Sequence, residues 1–85
     1  MKLDETVDLM CSNDFKDRFI AEYLQLVIRL SKLDAVLNKV SDVSFKVDDI
    51  TRDLMLKQRD AMGTYKVCLE KRADILGIDL NNYNR

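Results

Sequence analysis

Apolar residues fall on a helical period along most of the chain. Phe19, Tyr23, Leu26, Leu30, Leu33, Leu37 and Val40 step alternately by four and three, filling seven successive seam positions of a heptad. Ser12, Asn13 and Asp14 offer side-chain oxygens to the unpaired amides of a first turn. The spacing predicts a helix over 14–39, about 40 Å long. Ile20, Leu24, Val27 and Ile28 form a second stripe beside that seam. A helix with one neighbour needs one stripe, so the added width predicts a second neighbour.

Residues 41–49 break the period. Val43, Phe45 and Val47 alternate with polar residues, which predicts a loop or a short extended segment. Asp48 and Asp49 then cap a second helix, predicted over 50–76. On it, Leu54, Ala61, Tyr65, Cys68 and Ile75 form one edge of the expected buried face, and Met55, Met62, Leu69 and Leu76 the other. Gln58, Tyr65 and Arg72 run between those edges at seven-residue intervals. Gly77 followed by Ile78 reads as a left-handed C-terminal cap, and in the tail over 77–85 the polar stretch DLNNYNR, residues 79–85, is expected to be loose. The acidic extension, residues 1–12, is open to two readings. Leu3, Val7 and Met10 suit a short amphipathic helix docked on the body, and a disordered terminus fits equally.

These elements make one all-α domain over 1–85: an antiparallel two-helix hairpin, with a short third helix at the N-terminus as an option. Folding about residue 44 brings Tyr23 towards Tyr65, Leu30 towards Gln58, and Phe15 and Lys16 towards Arg72. A lone hairpin of this size buries too little apolar surface to offset its conformational entropy. The wide face of the first helix therefore predicts assembly into a homo-oligomeric bundle.

Composition narrows the function by exclusion. The chain has 85 residues, 47% of them apolar, with 14 basic against 15 acidic side chains. A net charge of −1 argues against non-specific binding to nucleic acid or anionic membranes. No apolar run exceeds three residues, and no signal peptide or lipidation motif is visible, so a cytosolic protein is expected. Histidine is absent, which removes His-based triads, His metal ligands and the usual near-neutral base. Cys11 and Cys68 have no metal or redox spacing, and Cys68 is expected to be buried as a small hydrophobe. Asp48, Asp49 and Asp53 sit where a helix start favours acids. A non-enzymatic protein is expected, with no cofactor and no metal. Gly63, inside a helix and next to Ala61 and Thr64, suggests close helix packing.

Two features bear on binding. Three polar groups within an apolar face are costly unless each finds a partner. The Gln58–Tyr65–Arg72 ladder is therefore either a satisfied seam, with Arg72 paired to Asp17 or Glu22, or the lining of a pocket for an anionic, planar ligand. Basic residues also recur at heptad spacing: Arg52, Arg59 and Lys66 on the second helix, Arg18, Lys32 and Lys39 on the first. Residues 54–72 carry five basic and two acidic side chains, a local +3. Such stripes serve solubility, or in a symmetric oligomer they converge into a phosphate-binding rim.

The segments Phe15–Leu37 and Leu56–Leu76 resemble a family of small two-helix bacteriophage proteins catalogued as related to an open reading frame of a crAss-like phage. The resemblance rests on Arg18, Glu22, Leu26, Arg29, Lys32-Leu33 and Leu37, then on Gln58, Ala61-Met62, Tyr65, Leu69 and Arg72. It implies a phage accessory protein acting in the host bacterial cytoplasm. By architecture the hairpin is also similar to oligomeric phage sponges that sequester cyclic nucleotide immune signals between subunits. That likeness implies a counter-defence role. Phosphates would lie on Arg29, Lys32, Arg59 or Lys66, and a base against Tyr23 or Tyr65, with Gln58 and Arg72 completing the pocket. An inhibitor that binds a host defence or regulatory protein, and a structural module of the phage particle, are the alternatives.

Overall fold

The computed structural model describes residues 1–40 and 47–81. A single 3-10 turn, Leu3–Thr6, leads into a short helix α1, Val7–Met10; two long helices follow, α2 over Phe15–Val40 and α3 over Asp49–Leu76. No strand occurs among the described residues. Residues 41–46, which hold Val43 and Phe45 of the expected connecting segment, and residues 82–85 of the tail lie outside the described residues.

Local chemistry fixes the helix ends. The Asp14 carboxylate accepts from the Lys16 amide at 2.9 Å, so it caps α2. Asp48 caps α3, accepting from the Thr51 amide at 2.7 Å and the Thr51 hydroxyl at 3.0 Å. Those two bonds hold its carboxyl below the usual aspartate range. At the other end Gly77 adopts φ 70°, and the Ile78 amide donates back to the Ala73 carbonyl at 2.9 Å. This is a Schellman closure. It turns Ile78 into the core, where it is buried, and Leu80 packs against the same cluster. The start of the tail is therefore seated on the body, in place of the loose segment that its polarity suggested.

α2 and α3 pack antiparallel. The core gathers in the first half of α2, from Phe19, Ile20, Leu24 and Leu26, against Leu69, Ala73 and Ile78. Beyond Leu26 the seam residues Leu30, Leu33 and Leu37 are only half-buried.

The second stripe on α2 has its neighbour within the chain. The N-terminal segment packs along α2, with Leu9 against the core cluster that holds Ile20 and Leu24. Its inward residues are Thr6 and Leu9, whereas Val7 and Met10 of the expected stripe are exposed, Met10 with its sulfur against the Gln25 side-chain amide of α2. Thr6 is fully buried; its hydroxyl donates to the Leu3 carbonyl at 2.7 Å and accepts from the Gln25 side-chain amide at 3.0 Å.

α3 presents only one of its two apolar edges to this body. Met55, Met62 and Leu69 face inward, joined by Ala73, while Leu76 ends exposed. Leu54, Ala61, Tyr65, Cys68 and Ile75, expected on the buried face, are exposed, Ile75 at 85%. The burial foreseen for Cys68 is thus corrected: α2 can cover only one stripe of α3, and the cysteine lies on the other. Gly63 is corrected as well, since a Cβ built there meets nothing within 4 Å in the chain. No close intrachain packing explains the glycine.

Candidate functional site

Of the polar ladder on α3, Tyr65 and Arg72 find specific partners on α2. The Tyr65 hydroxyl donates to Glu22. Arg72 does not pair with Asp17 or Glu22; its guanidinium lies over the Phe19 ring, 5.0 Å from the centroid. The two acids are engaged elsewhere, because Asp17 accepts from the Ser12 hydroxyl at 2.8 Å. Phe19, one turn beyond the expected Phe15, takes the place beside Arg72. Tyr23 meets Glu70, with its hydroxyl donating at 2.8 Å, and not Tyr65. Burial disfavours the Tyr23 phenolate, and the Glu70 carboxylate both holds the proton and repels the anion, so its pKa is pushed up to about 12.

Recesses of different chemistry open on the hairpin among the described residues. One, of about 460 Å³, lies at the C-terminal end of α3 beside Tyr23 and carries Glu70, Asp74 and Asp79. Three carboxylates on its wall make it unsuited to a phosphate. The second, about 270 Å³, is lined by Met1, Leu24, Val27, Ile28, Ser31 and Lys32 along the outer stripe of α2. The third, about 390 Å³, lies between α2 and α3 and differs in chemistry. Arg29, Lys32 and Gln58 supply its polar groups, and Leu33, Val36 and Met62 an apolar wall, with Leu3 reaching in from the N-terminal segment.

Heptad geometry explains the grouping. Arg29, Lys32, Leu33 and Val36 sit at i, i+3, i+4 and i+7 on α2, so one face carries two cations and two aliphatic chains. Gln58 and Met62 face them from α3, four residues apart. Neither Arg29 nor Lys32 has a hydrogen bond or ion pair among the described residues, where Arg59–Asp60 at 3.8 Å is the only ion pair. Two unneutralised cations above an apolar wall can hold a group with negative charge at one part and a flat, poorly hydrated surface at another.

The eight residues expected to bind ligand are therefore divided. Arg29, Lys32 and Gln58 come together in the α2–α3 groove. Tyr23 lies by the acidic recess. Tyr65 and Arg72 are exposed and engaged with Glu22 and Phe19, and Arg59 and Lys66 stand half-buried one heptad apart on α3. Leu3, Leu33, Val36 and Met62 complete the groove and were not foreseen in that role. Leu33 and Met62 carried only a core signal, and a seam residue reads alike whether it meets a partner helix or borders a cavity.

The family model described as Sequestin matches residues 13–75, which span α2 and nearly all of α3. The chain belongs to the Sequestin family. Comparison with curated proteins and with solved structures gives no match. The Sequestin match includes every polar residue of the α2–α3 groove and leaves out residues 1–12. Among the described residues there is no cluster of three metal-ligating side chains, and no helix is long and apolar enough to cross a membrane.

Proposed function

We propose that this Sequestin-family protein binds a small anionic nucleotide without turning it over and so withholds it from other proteins. The observation that carries this reading is the unpartnered Arg29–Lys32 pair beside the apolar wall of Leu33, Val36 and Met62. The family name supports a sequestering role. In the proposal Arg29 and Lys32 take the phosphates, Gln58 hydrogen-bonds the base or sugar, and Met62 with Leu33 packs on the base. Arg59 and Lys66 extend the basic rim along α3. Tyr65 keeps an exposed ring face, and with Tyr23 and Arg72 it joins a site through a second copy of the chain. A phage origin, an immune signal as cargo and action in the host bacterial cytoplasm belong to the same proposal.

Assembly is supported by an exposed apolar face on α3. Ile50, Leu54, Cys68 and Ile75 supply an exposed apolar stripe at helical spacing, and a net charge of −1 leaves little repulsion between copies. The same stripe favours a second reading, in which it seats a helix of a host protein that is thereby inhibited.

Calorimetric titration with a panel of cyclic mono- and dinucleotides, with light scattering on the same sample, tests the proposal. The expected result is saturable binding to at least one member and a mass that is a multiple of the 9.9 kDa chain. Arg29→Ala and Lys32→Ala should each weaken binding by about tenfold or more, the worth of a charge-assisted hydrogen bond. Absence of heat with every member contradicts the nucleotide reading. A monomeric mass leaves the α3 stripe to a foreign protein.

A further inference from the structure

The N-terminal segment lies outside the Sequestin match, yet it reaches the groove. Leu3 lines the cationic recess together with Arg29, Lys32 and Gln58, and Met1 lines the neighbouring one. Lys32 borders both recesses, so Met1 and Leu3 line two recesses that share one cation. The segment is fastened at two places. Inside, the buried Thr6 hydroxyl bridges the Leu3 carbonyl and the Gln25 amide, and the same amide contacts the Met10 sulfur at 3.3 Å. At the turn into α2, the Ser12 hydroxyl donates to Asp17 and the Arg18 guanidinium donates to the Ser12 carbonyl at 2.8 Å. Thr6 bonds the carbonyl of Leu3 itself, so the latch sets the position of the residue that faces the groove.

We infer that residues 1–12 form part of the binding site, with Leu3 a specificity-determining contact for the ligand and the Thr6–Gln25 hydrogen bond the latch that positions it. The inference rests on the reading of the α2–α3 groove as the nucleotide site. Leu3 lines the same recess as the cations, where its apolar side chain would limit the room beside a phosphate and offer a surface to a base or sugar. Asp4 and Glu5 follow Leu3 in the chain, and in this proposal their charge disfavours ligands that extend past Leu3 with further phosphates. Chain-specific selectivity is thereby added to a groove whose cations belong to the family segment.

The test uses the full chain and the panel member that binds most tightly, with far-UV circular dichroism to verify folding. Leu3→Ala should weaken binding by about tenfold, the scale of one apolar contact in a pocket. Leu3→Trp fills the recess and should penalise a cyclic dinucleotide more than a cyclic mononucleotide, which shifts the ratio of the two affinities. Thr6→Val should weaken binding in the same direction, and Thr6→Ser, which keeps the hydroxyl, should restore it. If Arg29→Ala weakens binding while every Leu3 and Thr6 variant keeps wild-type affinity and selectivity, the inference falls and the groove reading stands. If Leu3 variants change selectivity while Arg29→Ala and Lys32→Ala have no effect, Leu3 is a ligand contact and the assignment of phosphate to the two cations falls. If the wild-type chain binds no member of the panel, both fall.

Discussion

At the scale of single residues, a few polar groups do more to fix the hairpin than their exposure suggests. Tyr23–Glu70, Tyr65–Glu22 and Arg72–Phe19 tie α3 to the first half of α2, each joining a long side chain to the facing helix. The Tyr23 pair makes stability depend on pH at the alkaline end. Its phenol holds the proton more tightly folded, with a pKa of about 12, than unfolded, where 10.0 applies. The stabilisation is therefore complete below pH 10, declines between 10 and 12, and is gone above 12. Spectrophotometric titration of the phenolate, taken as the difference between wild type and Tyr23→Phe, should show an inflection near 12 that Glu70→Gln lowers. An inflection at the ordinary tyrosine value would contradict the pairing. None of these partners was legible in the sequence, which offered Arg72 two carboxylates. Seam spacing locates a residue on its own helix, but the facing residue depends on how far one helix slides past the other. Caps were legible, because Asp14, Asp48 and Gly77 act on amides or carbonyls within four residues of themselves.

Among elements, α2 and α3 illustrate what periodicity can and cannot reveal. The unbroken seam from Phe19 to Val40 and the absence of proline specify a long helix, and one is present. The width of the apolar face was also legible, but not what covers it. For α2 the second neighbour is the N-terminal segment, whose key inward residue is a threonine that no hydrophobic pattern would select. For α3 the outer edge, Leu54 to Ile75, is exposed, with no cover among the described residues. Gly63 belongs to this scale. An alanine there has open space and a helix to support it, so Gly63→Ala should raise stability by about 1 kcal/mol. The check is the urea midpoint, with the slope of the transition unchanged. A loss of stability would mean that another backbone lies against that position in the proposed assembly. At Gly77 the opposite holds, since φ 70° makes a side chain cost about 1–2 kcal/mol.

As a whole molecule, the chain is elongated, 45 × 24 × 18 Å, with a radius of gyration of 15.2 Å, against about 12 Å for a compact chain of this length. Its core is concentrated where three segments meet, around Ile20, Leu24 and Leu69, and thins along the rest of the hairpin. That uneven filling leaves the groove. There Leu3 is the one residue of the N-terminal segment that lines the recess, Leu33, Val36 and Met62 are left half-buried, and the cations Arg29 and Lys32 border the same recess. The sequence picked out Arg29, Lys32 and Gln58 but dispersed them among five other residues, because heptad spacing aligns charges along one helix and says nothing of the cavity between two. The claim that most needs testing is retention without chemistry. Full-length protein loaded with the tightest-binding panel nucleotide should be separated from free ligand, then heat-denatured, and the released material identified by mass spectrometry. The account predicts the same nucleotide, chemically unchanged and in fixed ratio to the chain. Release of a cleaved or modified product, or recovery of no nucleotide at all, would contradict it.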